Sequence, residues 1–464
     1  MIKHKQQATQ SLRISLLRNY LKMFGYDNVA VQNFLQEEEE ADAAVEAMLV
    51  ELASSSDEEI EDSRGGSRPG KAPNKNRDFV GAFSKLVNDY FNGTESVYNE
   101  SDFERRFRMP RSVFNRVWTS LEGTDPFIQK RDVTGKMGIH PLCRITAVLR
   151  FLAYGDAYDR DDENLYISET SLVYSVKLFC KLLKRIHGER YLNRCPTMAE
   201  RMEIATQNAA KGFPGCIGSW DCKHFPWKNC PVRLAGQHKG HAEGGKKTLI
   251  LESVADHRRY IWYMNFGDPG SLNDLNVLDK SSIVGSMLSG SLNLTIAPYT
   301  VNGRERDWAY FLVDGIYPEW AIFVKTFSEK HGHKKKVFGD RQEAVRKDIE
   351  CAFGILVQKF QVLSRPLRGW FLDELKDILD ACVILHNMVV EERTNSRVEN
   401  VGEEVATRSF PLFGKAEVTA EQAAADGVDL FAARVSRFAV AMESNWEHFE
   451  LKRDLVEHVN DRFG

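Results

Sequence analysis

The chain has 464 residues, 43% hydrophobic and 28% charged, which excludes a disordered polymer and allows one large or two to three ordinary domains. The formal net charge of −4 speaks against a nucleic-acid binder only as a sum, because thirteen acids and no lysine or arginine lie between Gly25 and Ser63, leaving the rest of the chain net basic. No secretory leader pattern opens the chain and no apolar run reaches the roughly 18 residues a bilayer requires, so a soluble protein without a membrane partner is expected.

In chain order, Leu12, Ile14, Leu16, Leu17, Leu21 and Met23 mark a short amphipathic helix, and Asp27 can cap a second. The acidic patch Glu37 to Glu40 makes that second segment either a solvated helix that docks a partner or a loosely held extension. Ser54 to Asn76 is rich in glycine, serine and proline and poor in apolar residues, which predicts a disordered linker. Phe79 to Phe91 and Ser101 to Leu121 have helical periodicity, with Pro110 suited to the first turn of a helix, and Arg105, Arg106, Arg108, Arg111 and Arg116 cluster there. Leu142 to Phe151 and Ser168 to Ile186 are further amphipathic helices. Lys177, Lys181, Lys184 and Arg185 give the last either a DNA-contacting face or ordinary surface charge.

From Gly215 the pattern turns to strands, at Cys216 to Asp221, Thr248 to Ala255 and Tyr260 to Asn265, with Asp256 to Arg259 as a tight connection. A helix is expected over Asn273 to Leu288, then a buried strand Tyr310 to Val313 that stops at Asp314, then a helix from Arg341 to about Leu363 bearing Glu350 beside its apolar stripe. The loop Gly244-Gly245-Lys246-Lys247-Thr248 departs from a phosphate-binding loop at Lys247 and no helix follows, so nucleotide binding there is rejected. Cys216, Cys222 and Cys230 with His224, His238 and His241 raise a zinc site, but paired C-x-x-C spacing is missing and reduced thiols fit better. Asp274 reads as a helix cap and Asp268 as a turn residue, while His224, His386, Asn387, Trp220, Trp227 and Trp262 read as structural. Lys330 and Lys334 to Lys336 read as a basic loop suited to a DNA backbone or a nuclear-import receptor.

Three acids at the ends of apolar runs or beside a packed helix, Asp221, Asp314 and Glu350, can converge on one point. Two unit charges about 5 Å apart repel by roughly 3 kcal/mol at an effective dielectric near 20, so such a triad takes up a proton or a cation.

Ordered blocks carry a resemblance: Gly218 to His224, Trp227 to Pro231, Phe266 to Ser271, Asn273-Asp274, Val313 to Pro318 and Ile349 to Gly354. Together they resemble the Harbinger-superfamily DDE transposases and the nucleases derived from them, over roughly Phe103 to Arg393 with an echo at Leu451 to His458. The 35 residues between Asp314 and Glu350 are similar to the interval in many integrases and transposases, whereas Cys351 stands where the family commonly has arginine. The resemblance implies an α/β, ribonuclease-H-like mixed sheet with flanking helices over 201–394, preceded by a helical, helix-turn-helix-like DNA-binding region over 78–200. Acidic helices over 1–53, a linker over 54–77 and a tail over 395–464 with a terminal helix complete the expected organisation. It further implies a nuclear endonuclease or transposase with Asp221, Asp314 and Glu350 as catalytic and metal-binding residues and two Mg²⁺ or Mn²⁺ ions as cofactors. DNA, a Myb-like DNA-binding protein and further copies of the chain on DNA are the implied partners. The competing class is a domesticated protein that binds DNA or chromatin without cutting.

Overall fold

The computed structural model describes residues 75–401 and 444–464, apart from 125–126, 133–134, 241, 289–291 and 293. The helices expected over 1–53, nearly all of the linker and most of the 395–464 tail lie outside the described residues. Residues Arg77 to Gly464 form one compact unit.

Local chemistry sets the helix ends. Helix α1 (Phe79–Tyr90) begins where the Asp78 side chain accepts the Gly81 N–H, and α2 (Glu100–Phe107) where Asn99 accepts the Asp102 N–H. The helical stretch expected over Ser101 to Leu121 is broken by Arg108 in the left-handed region, at φ 60°, and Pro110 caps α3 (Arg111–Leu121). Phe103, Phe107 and Phe114 then pack with ring centroids 4.4 to 5.4 Å apart, which fixes α2 on α3. Helices α4 (Pro141–Tyr154), α5 (Asp162–Leu165) and α6 (Glu169–Tyr191) follow. Helix α7 (Met198–Ala210), not foreseen from its weak apolar pattern, opens with a capping box between Thr197 and Glu200.

A five-stranded mixed sheet comes next, built from β1 (Cys216–Pro226), β2 (Thr248–Ala255), β3 (Ile261–Pro269), β6 (Tyr310–Val313) and β7 (Phe323–Lys325) in the order β3-β2-β1-β6-β7. Strands β1 to β3 are antiparallel neighbours, while β6 pairs with β1 and β7 with β6 in parallel. The turn between β2 and β3 is the expected Asp256 to Arg259 connection, with Asp256 N–H donating to the Tyr260 carbonyl. The helix expected over Asn273 to Leu288 is split into α8 (Asp274–Leu278) and α9 (Ser282–Leu288). Strands β4 (Thr295–Val301) and β5 (Arg304–Trp308) form a separate ribbon.

Helix α10 (His333–Lys359) begins earlier than the expected Arg341, so Lys334 to Lys336 are not a loop but its first turn. In its opening half a polar residue, Gln342, packs between the buried Phe338 and Val345. The buried Gln342 amide donates to the Val313 and Val324 carbonyls, at 2.9 and 3.0 Å, tying α10 to the ends of β6 and β7. Helix α11 (Leu372–Val401) runs beside α6 in the same direction, joined by Lys177–Glu374, Lys184–Asp380 and Arg190–Glu391 pairs of 2.7 Å each. Two of the four cations that would give α6 a basic face are therefore neutralised within the chain. Helix α12 (Asn445–Phe463) contains the Leu451 to His458 echo and packs on α10 and the β4–β5 ribbon.

One face of the sheet buries a carboxyl. Glu252 is 1% exposed and accepts hydrogen bonds from the Trp220 indole (3.1 Å) and the Tyr263 hydroxyl (3.3 Å). Burial pushes it up to about 7, the hydrogen bonds opposing the rise only in part. A raised carboxyl contributes stability that is complete below its unfolded value and is lost as pH climbs through about 7. Glu252→Gln is therefore expected to melt higher than the parent at pH 8, by on the order of 1–3 kcal/mol, with the gap closing toward pH 5. Parallel melting curves for the two proteins across that range would refute the assignment.

Candidate active site

Strand register places the two aspartates. Ser219 of β1 is the parallel partner of Leu312 of β6, and Asp221 and Asp314 each lie two residues further on. Side chains alternate across a strand, so both acids start from the same face, Asp221 midway along β1 and Asp314 just past the end of β6. Trp220 points to the other face, onto Glu252, Phe311 and Phe323.

Helix α10 covers the aspartate face and delivers a cation to it. One Arg346 nitrogen lies 3.4 Å from Asp221 Oδ2 and another 3.1 Å from Glu350 Oε1, so the guanidinium bridges the two carboxylates. Arg346 was missed in the sequence, although an arginine four residues before a glutamate on a helix is a readable ion-pair spacing. Asp348, two residues before Glu350, is instead held by Lys211 (2.9 Å) and Arg259 (2.8 Å). Glu350 is the freer of the bridged acids, its side chain 46% exposed against 18% for Asp221. Cys351 beside it is exposed.

A fourth acid joins the group. The cap of α8 is Asn273, not Asp274, and the Asp274 carboxyl is raised by burial and by the charge of Asp314, against the pull of His224 and a Cys222 hydrogen bond. Asp221 is pushed up to about 6, first by burial and further by the charges of Asp274 and Glu350, while the Cys222 N–H and Arg346 pull it down. Asp274 thus couples to both aspartates of the expected triad, a link no local pattern reveals. Asp314 itself is exposed just past β6, in a turn where its carbonyl accepts the Tyr317 N–H.

Among the described residues, no group of three or more histidine, cysteine, aspartate or glutamate side chains is drawn together closely enough to hold a metal ion. The donor set still suits a hard cation, being carboxylate oxygen throughout, and mutual repulsion at Asp221 is what a cation relieves. Arg346 stands between two of these donors, Asp221 and Glu350.

The residues read as structural are tied into the fold. His224 Nδ1 lies 2.9 Å from the Thr248 hydroxyl, and His386 Nε2 lies 2.7 Å from the Arg259 carbonyl. Asn387 donates to the Tyr191 and Ile261 carbonyls and accepts the Ile261 N–H. The Trp227 and Trp262 indoles donate to the Gly369 carbonyl and the Asp256 carboxylate, so neither ring is a free stacking platform. His241 lies outside the described residues.

The arginines of α2 and α3 are largely engaged within the chain. Arg105 pairs with Asp102, Arg111 with Glu100, and Arg116 with Glu391.

Residues 189–397, which hold the whole sheet and all four acids, match a family model described as plant transposon protein. The match supports a transposase-related protein. Residues 84–122, across α1 to α3, match a second family described as a domain of unknown function (DUF8418). No curated protein and no solved structure matches.

Proposed function

We propose that the chain is a metal-dependent DNA endonuclease or transposase of the Harbinger type, with a ribonuclease-H-like core and Asp221, Asp314 and Glu350 as its catalytic carboxylates. The observation that carries this reading is the parallel register: Ser219 opposite Leu312 sets Asp221, midway along β1, level with Asp314 just past β6, with Glu350 on the helix across that face. Three antiparallel strands leading into two parallel ones is the strand order that a ribonuclease-H-like sheet calls for.

In this reading Asp221, Asp314 and Glu350 hold Mg²⁺ or Mn²⁺, with Asp274 as a further acid at the margin. When bound, the ions supply Lewis acidity and a water of lowered pKa for in-line displacement at phosphorus. The chain's own residues do the rest. Half-buried Asp221 presents an oriented oxygen, since its Oδ1 accepts the Cys222 N–H at 2.9 Å. Arg346, released from its bridge, is a guanidinium suited to a DNA phosphate. It also supplies a cation beside Glu350 from one turn away, where Cys351 does not. Strand joining at transposon ends, action in the nucleus, assembly as several copies on DNA and a Myb-like partner complete the proposal.

The test is incubation of the purified protein with supercoiled DNA in Mn²⁺, in Mg²⁺ and in a chelator. Nicked circles are expected with either metal and none with the chelator. DNA that is bound but left uncut under every metal condition would replace the enzyme with a non-cleaving binder.

A further inference from the structure

A second polar pocket, of about 340 Å³, opens among α1, α2, α4 and α5 and uses none of the four acids above. Cations outnumber acids in its lining: Lys85, Arg106, Arg150 and Arg160 face Asp89, with Arg160 already paired to Asp156. Two of these arginines are set up rather than merely present. The Arg106 guanidinium lies 3.6 Å over the Tyr98 ring and donates to the Tyr90 hydroxyl, which holds its plane in one orientation. Arg150 is 3.8 Å from Asp161, beyond hydrogen-bond reach, and its buried Nε has no hydrogen-bond partner.

A buried donor left unmet costs roughly 1–3 kcal/mol, which an anion with several acceptor oxygens recovers. Paired arginine forks suit phosphate better than a single-point acceptor. Tyr90, Tyr98 and Tyr154 stand in the wall beside Leu86, Leu165 and Asn164, with Arg106 seated on the Tyr98 ring and Arg160 on the Tyr154 ring. Tyrosine rings and guanidinium planes are the surfaces on which nucleobases stack. The pocket is too small for a duplex and of the size of one nucleotide.

We propose that this pocket binds a single 5′-phosphorylated nucleotide, with its phosphate on Arg106 and Arg150 and its base among the tyrosines. A free mononucleotide and the phosphorylated 5′ end of a DNA strand offer that same chemistry. Lys85, exposed at the mouth, adds attraction, and Asp89 opposes the phosphate.

The experiment uses the full chain in chelator, with a labelled short single strand carrying either a 5′-phosphate or a 5′-hydroxyl, and dAMP and inorganic phosphate as competitors. The phosphorylated strand is expected to bind about tenfold more tightly than its hydroxyl counterpart. Lys85→Gln and Arg150→Gln should each weaken it several-fold, and Asp89→Asn should tighten it by about threefold, with melting temperatures unchanged for the exposed Lys85 variant. Competition by dAMP identifies a free nucleotide as the ligand, and its failure beside a preserved 5′-phosphate preference identifies a strand end; either upholds the pocket. Equal affinity for both strands, indifference to Lys85→Gln and Asp89→Asn, or competition by inorganic phosphate matching that of dAMP would overturn it. Metal-dependent nicking is scored separately, so loss of one activity does not decide the other.

Discussion

Replacing Asp221 and Asp314 together by asparagine is expected to reduce metal-dependent nicking by about a thousandfold or more, the scale on which removal of catalytic groups acts. The same protein should bind DNA at least as tightly as the parent in metal-free buffer. Without metal, the acids repel the phosphate they are proposed to cleave, and Arg346 is partly occupied by Asp221. Removing that charge frees the guanidinium for DNA. The parent's nicking rate should also fall as pH drops through about 6, because Asp221 then takes up the proton that displaces a cation. Titrations at several salt concentrations test the binding half. A large affinity loss in the double variant, with its melting transition intact, would mean that these acids hold the fold or contact DNA directly.

The second large effect concerns α12. Asp454 is fully buried, 2.9 Å from an Arg306 nitrogen and 3.5 Å from Arg304, and it accepts from Asn302. Arg306 is itself only 5% exposed and has a buried Nε without a partner, so losing Asp454 leaves it with Glu447, 3.4 Å away. Breaking one side of a buried pair costs about 3–5 kcal/mol. Asp454→Ala should lower the melting temperature by about 5 °C or more, whereas Asp454→Leu with Arg306→Met should recover much of the loss. Calorimetry on the three proteins decides it, and a drop below about 1 °C for Asp454→Ala would show that α12 is not integral to the fold.

How legible these features were depended on whether their cause is local. The run Tyr310 to Val313 is buried on both faces, so its apolar character and its end at Asp314 could be read directly. The end of β1 could not. Past Ser219 the strand loses its β6 partner but keeps β2, and Cys222 to His224 become half-buried, erasing the apolar run that suggested an end at Asp221. The β4–β5 ribbon does carry a local signal, an Asn302-Gly303 turn with positive φ at both residues. Nothing local marks Gln342 as buried, because its amide is satisfied by carbonyls of two distant strands. Asp274 and Arg346 acquire meaning only when α8, α10 and the sheet come together, so sequence spacing along one element showed neither as a member of the cleft.

The parallel pairing of β1 with β6 also has a consequence in time. Asp221 leaves the ribosome on an antiparallel sheet well before the strand that brings Asp314 beside it, and α12 emerges later still. At about 5–20 residues added per second, the nascent chain spends seconds with the acids held apart. A chain stopped before Asn445 carries all four carboxylates but not Asp454, and so leaves Arg306 without its buried partner. Incomplete translation products therefore carry all four carboxylates while lacking the buried pair that joins α12 to the β4–β5 ribbon.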